Sequence, residues 1–267
     1  MPKVVLVTGA SSGLGQAIAE FLATKNYVVY GTSRKPQSKK INGVIFKALD
    51  IRNTKSIQNC VNSIITEQQS IDILINNAGV GITGAMEEIP LDEAKSHFDT
   101  NFFGPLNVIN TVLPYMRQQN QGLIINITSI AAHMGLPFRG MYSASKSALA
   151  KATEAYRMEL KEFNIKMVNL APGDFATNIA NGRFHSPLQE DSPYHKNYKK
   201  SLDLMDDDVD KGENPIKLAK KVYQIIQNSK PKVNYKSGAI LQCFSVNLKH
   251  ILPQKLFERI LLKHYKL

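Results

Sequence analysis

The arrangement of apolar residues along the chain constrains its fold more than any other feature. Short runs rich in β-branched residues alternate with longer segments in which apolar residues recur at helical spacing. Because a strand–helix–strand rhythm places successive strands in one parallel sheet, this pattern predicts an α/β fold of the doubly wound type, with helices on both faces. The predicted strands are 4–7, 28–30, 44–46, 71–75, 123–127 and 166–170, with 237–241 as a candidate seventh. The predicted helices are 14–24, 55–67, 91–118, 143–161 and 215–227.

A glycine-rich turn follows the first predicted strand directly. Gly9, Gly13 and Gly15 fall at G-x-x-x-G-x-G spacing, immediately before an amphipathic helix. Glycines let the backbone turn tightly and approach a pyrophosphate, whose charge is stabilised by the N-terminus of the helix. We therefore expect a dinucleotide phosphate site here. Its predicted contacts are Gly9, Ser11, Ser12, Gly13, Leu14 and Gly15.

The end of the second predicted strand indicates which dinucleotide is bound. A carboxylate at this position binds the ribose 2′-hydroxyl of NAD, whereas a nearby arginine accommodates the 2′-phosphate of NADP. The chain has Ser33, Arg34 and Lys35 here, without a carboxylate. The sequence therefore predicts NADP(H) as the cofactor, with Ser33 and Arg34 as direct contacts and Ser12 close to the same phosphate.

Two further groups of residues follow the third and fourth predicted strands. Asp50 and Ile51 follow the third, where Asp50 is expected to face the adenine. Asn77, Ala78 and Gly79 follow the fourth, where small residues permit close approach and the asparagine ties adjacent backbones together. Because the carboxyl ends of parallel strands share one edge of the sheet, all five are predicted to contact the cofactor.

Tyr142 and Lys146 are the strongest candidates for the reacting end of the site. Their spacing of four residues places both side chains on one face of a helix. A phenol is a weak acid at neutral pH, and an ammonium beside it favours the phenolate, which assists proton transfer. Ser129 ends the fifth predicted strand, where its hydroxyl can bind the same substrate oxygen as Tyr142. Asn101 lies in a predicted helix that Pro105 is expected to distort.

Together these motifs resemble the short-chain dehydrogenase/reductase family, in its 17β-hydroxysteroid and retinol dehydrogenase branch. The glycine motif, Asn-Asn-Ala-Gly at 76–79, Asn101, Ser129 and Tyr-x-x-x-Lys at 142–146 occur in the family's order across nearly the whole chain. The resemblance implies one Rossmann-type domain over residues 1–267. It also implies a sheet of about seven strands in the order 3-2-1-4-5-6-7.

The resemblance further implies reversible hydride transfer between a nicotinamide and a carbonyl or secondary alcohol. Tyr142 would act as the general acid or base, Ser129 would polarise the substrate oxygen, and Lys146 would hold the nicotinamide ribose. Asn101 would position a water that links Lys146 to solvent. The family segment that meets the nicotinamide is matched by Pro172, Gly173 and Thr177. Family habit also implies a homo-oligomer, either a dimer or a tetramer.

The substrate is predicted to be lipophilic. Apolar residues at 134–138 resemble the substrate wall of the same branch, with simple loop packing as the alternative. The long polar segment 178–214 is predicted to be a substrate lid, and its polarity argues against a steroid. Two other functions stay open. One is a 3-oxoacyl-carrier-protein reductase, because a basic surface suits an acidic carrier, and the other is a non-catalytic NADP(H)-binding regulator or scaffold.

Composition sets the remaining expectations. No apolar run approaches the roughly 18 residues that span a bilayer, and the first predicted strand begins too early for a secretory signal, so we expect a cytoplasmic protein. Two cysteines and six scattered histidines predict neither a disulfide framework nor a metal site. The net charge of +11 alone does not predict nucleic-acid binding.

The positive charge is concentrated at the C-terminal end. From residue 228 onward, seven lysines and Arg259 outnumber the single acidic residue, Glu258, by seven. Residues 248–267 show a basic amphipathic pattern. We expect this segment to dock on its own domain, with contact to an anionic membrane surface as the alternative.

Overall fold

A computed structural model describes residues 2–36, 38, 40–177 and 182–267, apart from the side chains of residues 206 and 208–210. Within these residues the chain forms a central eight-stranded sheet flanked by helices and a separate two-stranded sheet. The strands are β1 (Val4–Val7), β2 (Val28–Ser33), β3 (Lys40–Ile41), β4 (Val44–Ala48), β5 (Ile73–Asn76), β6 (Ile82–Thr83), β7 (Gly122–Ile127), β8 (Ile165–Pro172), β9 (Phe184–His185) and β10 (Asn234–Ser237). The helices are α1 (Gly13–Ala23), α2 (Thr54–Gln68), α3 (Leu91–Phe98), α4 (Gly104–Gln118), α5 (Gly140–Glu159), α6 (His195–Asp210), α7 (Pro215–Gln227), α8 (Ile240–Ile251) and α9 (Gln254–His264).

The central sheet has the order β10-β8-β7-β5-β1-β2-β4-β3. The predicted order 3-2-1-4-5-6-7 is confirmed for its seven parallel strands, which are β4, β2, β1, β5, β7, β8 and β10. The eighth strand, β3, pairs antiparallel with β4 at one edge. The order reverses direction beside β1, and in doubly wound sheets the ligand binds at that switch point.

The predicted position of the seventh strand, 237–241, is wrong. The strand β10 ends at Ser237, and Gly238 has a φ of +152°, a conformation that residues with a side chain rarely adopt. The chain therefore leaves the sheet at Gly238, and Ile240 begins α8. The apolar residues Ile240 and Leu241, which suggested a strand, belong to the first turn of that helix.

Burial on both faces explains why the central strands read as continuous apolar runs. In β1, Val4 and Leu6 pack into a core with α2 and α4, whereas Val5 and Val7 pack into a second core with α1 and α7. All four side chains are buried. Successive residues of a strand point to opposite faces, so a strand covered on both sides has no polar position.

The predicted helix 91–118 is present as α3 and α4, and the distortion expected next to Pro105 is a π-helical turn at Asp99–Phe103. The segment 178–214 holds β9 and α6, in addition to 178–181, which lie outside the described residues. Among the described residues, no helix combines the length and apolar character needed to cross a membrane.

We expect Leu22→Ala to lower the free energy of unfolding by about 2–5 kcal/mol, because it opens a cavity in the core between α1 and α7. Leu22 is fully buried in that core. Met158→Ala is the matched control, because Met158 on α5 is 73% exposed and its loss should change stability by less than about 0.5 kcal/mol. Urea unfolding measures both. Equal midpoints for the two variants would contradict this packing.

Candidate active site

The glycine-rich turn between β1 and α1 is tied to the residues that follow β5. Thr8 Oγ1 accepts hydrogen bonds from the backbone amides of Asn77 at 3.0 Å and Ala78 at 3.1 Å. The Asn77 side-chain amide donates to the carbonyl oxygens of Thr8 and Gly9, each at 3.1 Å. Gly9 has a φ of +65°. A Cβ on Gly15 would overlap Gly9 O and Asn77 Nδ2, so Gly15 serves the packing of the turn.

A cleft of about 540 Å³ lies at the carboxyl ends of the parallel strands. It brings together most of the predicted site residues. Those that line it are Gly9, Ser11, Ser12, Gly13, Leu14, Ser33, Arg34, Asp50, Ile51, Asn77, Ala78, Gly79, Tyr142, Lys146, Pro172 and Thr177. Gly15, Asn101, Ser129 and Gly173 are not among its lining residues.

The N-terminus of α1 borders this cleft. Ser12 occupies the N-cap position in an extended conformation, but its side chain does not cap the helix. Ser11 and Ser12 are both exposed. The first amides of the helix are therefore not satisfied by Ser12 and can bind an anion such as a pyrophosphate.

The end of β2 carries an unsatisfied hydroxyl beside two cations. Ser33 Oγ is buried without a hydrogen-bond partner among the described residues. Ser33 and Arg34 border both the cleft and an adjoining recess of about 650 Å³, which Lys35 and Glu20 also line. The Glu20 carboxylate accepts hydrogen bonds from two side-chain amides. A buried hydroxyl without a partner is unfavourable, so the residues present fit a ligand with a phosphate or hydroxyl at this position.

Tyr142 and Lys146 lie in the first two turns of α5, and both line the cleft. Lys146 is 6% exposed, and its Nζ donates a hydrogen bond of 3.0 Å to the carbonyl oxygen of Ile127. Burial lowers the pKa of Lys146, an effect that the nearby Tyr142 phenol opposes. The i, i+4 spacing thus places a buried ammonium close to a phenol, as the sequence predicts.

Ser129 follows β7 and is buried. Its Oγ accepts a hydrogen bond of 3.1 Å from the backbone amide of Ala131. Because a hydroxyl can donate as well as accept, its own proton stays available for a substrate oxygen.

Asn101 lies in the π-helical turn and is fully buried. Its side chain pairs with the backbone of Val80, donating to the carbonyl and accepting from the amide at 2.9 Å each. A Cβ on Gly79 would lie 3.1 Å from Asn101 Oδ1 and 3.4 Å from Lys146 Nζ, so both side chains crowd against this glycine. Asn101 therefore holds the backbone next to Lys146.

His97 is a site residue that the sequence reasoning missed. It is 3% exposed, and its Nε2 lies 3.0 Å from Ser145 Oγ and 3.1 Å from Asn101 Nδ2. Burial, followed by the charge of Lys146, lowers the pKa of His97 to about 4. The imidazole is therefore neutral at pH 7, so its Nε2 can accept the hydrogen bond of the Asn101 amide. The available signal was the i, i+4 spacing of His97 and Asn101 in one predicted helix.

Arg139 is a second missed residue, and it precedes α5. Its guanidinium lies 5.0 Å from the centre of the Tyr142 ring and hydrogen-bonds the side chain of Tyr265. Tyr265 directly follows α9 and is buried. The C-terminal end of the chain is thereby connected to the candidate catalytic tyrosine, a contact that no local sequence pattern indicates.

Residues from two segments distant in sequence pair with each other and contribute to the lining of the cleft. β6 and β9 pair in parallel, and Ile82 and Phe184 from these strands line the cleft. Backbone hydrogen bonds run from Phe184 N to Gly81 O (3.0 Å) and from Ser186 N to Thr83 O (2.9 Å). We refer to residues 81–84 with 184–186 as the roof.

The apolar run 134–138 does not line the cleft. Met134 and Leu136 pack against Val246 of α8 and Phe257 of α9. These two side chains therefore contribute to loop packing, the alternative reading of this run. Residues 81–82 and Phe184 take the place in the cleft lining that the sequence predicted for 134–138.

Gly173 packs against α8. Its amide donates to the carbonyl oxygen of Ser237 at 2.8 Å, and a Cβ on it would overlap Gln242 Oε1. The same Gln242 oxygen accepts a hydrogen bond of 3.1 Å from the amide of Asp174. Gly173 thus permits close contact between the end of β8 and α8, while its neighbour Pro172 lines the cleft.

Within the described part of the chain, no group of three or more His, Cys, Asp or Glu side chains is placed to hold a metal ion. Cys60 and Cys243 are both free thiols. Cys60 is on the buried face of α2, where burial raises its pKa to about 12.

Known proteins are similar to this chain over most of its length. The sequence profile of the short chain dehydrogenase family matches residues 3–187. The 3-ketodihydrosphingosine reductase of Bacteroides thetaiotaomicron is 39% identical over 258 residues, which cover 96% of each protein. Retinol dehydrogenase 8 of Homo sapiens is 34% identical over 191 residues, which cover 67% of this chain and 60% of the human protein.

The fold is also similar to solved structures. A short-chain dehydrogenase from Streptomyces avermitilis has a TM-score of 0.83 to this chain and covers 99% of it, with 97% of that protein covered and 27% sequence identity. Other structures of this fold have been solved with NAD or with NADP bound. These two proteins are 23% and 24% identical to this chain, so they show the likeness of fold alone.

The buried His97 should make stability depend on pH. The pKa of His97 is about 4 in the folded protein and about 6.5 in an unfolded chain. Between these two values the unfolded chain binds a proton that the folded protein does not, so the free energy of unfolding is full above pH 6.5 and decreases as the pH falls towards 4. At pH 5 this loss should be about 2 kcal/mol. Urea unfolding at pH 7.5 and pH 5.0 measures the free energy of unfolding of the wild type and of His97→Gln. The decrease between the two pH values should be smaller in the variant by this amount.

The matched control for this experiment is His195→Gln, which changes a histidine on α6 that does not line the cleft. It should keep the pH dependence of the wild type. An equal pH effect in the wild type and His97→Gln would contradict a neutral, buried His97.

Proposed function

The chain belongs to the short-chain dehydrogenase family, and on that premise we propose that it is an NADP(H)-dependent oxidoreductase that interconverts a ketone and a secondary alcohol on a lipid-like substrate. One observation carries the proposal. Tyr142 and Lys146 line the same cleft as the glycine-rich turn and Arg34. A proton donor therefore faces the same space as a site suited to a dinucleotide.

The choice of NADP(H) is supported by the end of β2. Ser33 offers a buried hydroxyl that has no hydrogen-bond partner in the described part of the chain, and Arg34 offers a guanidinium that can bind a phosphate through two hydrogen bonds. An NAD-binding chain of this fold would present a carboxylate at this point. The pyrophosphate would lie at the N-terminus of α1, against Ser12 and Gly13.

The residues at the reacting end suggest how the protein assists the reaction. When bound, NADPH supplies the hydride that reduces the carbonyl carbon. Tyr142 donates its phenolic proton to the carbonyl oxygen, and Ser129 donates a hydrogen bond to the same oxygen. The Lys146 ammonium stabilises the phenolate that remains on Tyr142. In the oxidation direction the same phenolate accepts the proton of the alcohol.

The roles of the neighbouring residues follow from their contacts. Asn101 fixes the Val80 backbone and contacts the neutral His97, which keeps a second cation away from Lys146. Arg139 presents its charge to the Tyr142 ring and favours the phenolate during proton transfer. Each of these groups acts through Tyr142 or Lys146, so we assign them positioning and electrostatic roles.

The proposed substrate is a long-chain lipid ketone of the kind named for the Bacteroides thetaiotaomicron relative, a 3-keto sphingoid base. The apolar side chains of Ile82 and Phe184 in the cleft lining suit a hydrocarbon chain near the carbonyl. This relative covers nearly the whole chain, whereas the retinol dehydrogenase covers two thirds of it. A sphingoid ketone is therefore favoured over a retinoid.

Tyr142→Phe should lower kcat for reduction at least about 10²-fold, because it removes the phenolic hydroxyl that donates a proton to the carbonyl oxygen in the proposed mechanism. The affinity for NADPH should stay within about threefold, since the ring is retained. Tyr156→Phe is the control. Tyr156 lies on the same helix, and its hydroxyl donates a hydrogen bond to Asn110 Oδ1, outside the cleft. NADPH oxidation is followed by absorbance with 3-ketodihydrosphingosine, retinal and a 3-oxoacyl thioester as substrates.

Each result of this panel has a distinct meaning. Turnover of the sphingoid ketone that is lost in Tyr142→Phe and kept in Tyr156→Phe supports the proposal. Turnover confined to the thioester would identify a carrier-type reductase instead. NADPH binding without turnover of any substrate would favour a regulator or scaffold, and normal activity of Tyr142→Phe would sink the assigned mechanism.

Arg34→Asp should reverse the preference between NADPH and NADH. It replaces a phosphate-binding guanidinium with a carboxylate, which repels a 2′-phosphate and can bind a 2′-hydroxyl. The dissociation constant for NADPH should rise at least about tenfold relative to that for NADH. Fluorescence titration of both cofactors at one salt concentration measures the ratio. Lys161→Asp, at an exposed position outside the cleft, should leave the ratio unchanged, and an unchanged ratio in Arg34→Asp would mean that Arg34 does not bind the phosphate.

A further inference from the structure

The helix α8 exposes a row of large apolar side chains. Ile240, Leu241 and Ile251 are 85%, 82% and 75% exposed, and Phe244 is also exposed. Phe244 follows Ile240 by four residues, and Ile251 follows Phe244 by seven, so the three side chains lie on one face of the helix. Single exposed apolar residues are ordinary on protein surfaces, but a contiguous row marks an interaction site.

The helix α9 is docked by one face and exposes another. Phe257 is buried against Val246 of α8, and Tyr265 at the end of α9 is also buried, so α9 is held in place by the domain. Leu256 and Ile260 are exposed on a different side of the helix. Docking on its own domain, as expected for residues 248–267, therefore fully or partly buries only half of the apolar residues of this segment.

The exposed apolar positions of α9 lie beside a row of cations. Lys255 directly precedes Leu256, and Arg259 directly precedes Ile260, so the two rows run next to each other along the helix. Lys263 continues the basic row one turn later. Long cationic side chains next to an apolar stripe can extend towards lipid headgroups while the stripe enters the boundary of the acyl chains.

The charge of this region decides which occupant fits. From residue 228 onward the net charge is +7. A second copy of the chain would bring the same positive charge against it, which is unfavourable at short range. A nucleic acid would satisfy the cations but would leave Ile240, Leu241 and Ile251 in water. An anionic bilayer offers both opposite charge and an apolar interior.

We propose that α8 and α9 form a peripheral binding surface for an anionic lipid bilayer. The α8–α9 surface consists of Ile240, Leu241, Phe244, Ile251, Leu256 and Ile260, with the basic row of α9 beside them. The apolar side chains enter the boundary between headgroups and acyl chains, and the cations bind lipid phosphates or carboxylates. Such a surface would hold the protein where a water-insoluble substrate is concentrated.

The connection between Tyr265 and Arg139 determines how the proposal is best tested. Removing α9 would also remove Tyr265, whose side chain hydrogen-bonds Arg139 beside the Tyr142 ring. A truncated chain would therefore confound lipid binding with damage to the cleft. Substitutions of exposed residues leave these contacts in place.

The test is co-sedimentation of the full-length protein with vesicles of phosphatidylcholine alone or mixed with phosphatidylserine. The wild type should bind the mixed vesicles more tightly than the neutral ones, and added salt should weaken binding. The double variant Leu241→Ser, Phe244→Ser should bind at least about tenfold more weakly to the mixed vesicles. The double variant Arg259→Glu, Lys263→Glu should lose the preference for phosphatidylserine.

Two matched controls change the same chemistry elsewhere. Met158→Ser removes an exposed apolar residue on α5, and Lys199→Glu with Lys200→Glu reverses two exposed charges on α6. Both should bind vesicles as the wild type does, and thermal unfolding should show that every variant is folded. Lipid binding is measured without turnover, so its failure is distinct from failure of the proposed reaction.

Two results would overturn the proposal. One is a wild type that does not bind vesicles, or that binds them no better than the two α8–α9 variants. The other is concentration-dependent self-association in light scattering that Leu241→Ser, Phe244→Ser abolishes, without vesicle binding. That second result would assign the α8–α9 surface to a contact between copies of this chain.

Discussion

The hydrogen bonds between the ends of β1 and β5 support both halves of the cleft. Thr8 Oγ1 and the Asn77 side chain join the two strand ends. In this close packing a Cβ on Gly9 would lie 2.8 Å from Ala78 Cα, and one on Gly15 would overlap Gly9 O and Asn77 Nδ2. The glycine-rich turn between β1 and α1 is thereby held in position on one side. From Asn77 the backbone continues to Gly79, where the absence of a side chain lets Lys146 approach closely. The same few hydrogen bonds thus link the proposed cofactor end to the reacting end.

Electrostatics beside Lys146 disfavour a second positive charge on the neighbouring imidazole of His97. Lys146 is buried, and a second positive charge close by would be strongly unfavourable in a region of low dielectric constant. His97 is also buried nearby and stays neutral, so it can accept a hydrogen bond from Asn101. The neutral His97 therefore adds no second positive charge beside the Lys146 ammonium.

How much of the structure can be predicted depends on how far apart in the sequence the interacting residues lie. The strand β1 could be located because burial on both faces leaves a continuous apolar run, and the spacing of Tyr142 and Lys146 is a property of one helix. The helix α6 was not predicted because few of its apolar side chains are buried, chiefly Tyr198 and Met205, and the rest of the segment is highly polar. Contacts between residues far apart in sequence could not be predicted.

Arg139 illustrates this last limit. Its partners, Tyr142 and Tyr265, are brought together only when α9 folds back onto the domain. His97 is an intermediate case, since its spacing to Asn101 is visible in the sequence, but its burial depends on the packing of α3 against α5. The seventh strand was misplaced for a local reason, because apolar residues at a helix N-terminus resemble a short strand.

The hydrogen bonds of the roof have a consequence for the timing of the proposed reaction. Residues 81–84 are joined to 184–186 by backbone hydrogen bonds, and the Tyr198 hydroxyl donates a further bond of 3.0 Å to the carbonyl oxygen of Thr83. Because the paired strands share these bonds, separating them would break several at once, so the roof would open as a cooperative unit. In the proposed reaction, exchange of product for substrate through this roof would be a discrete step with its own rate, slower than diffusion within an open cleft. For an enzyme built this way, release of the product can limit the turnover number while the chemical step is fast.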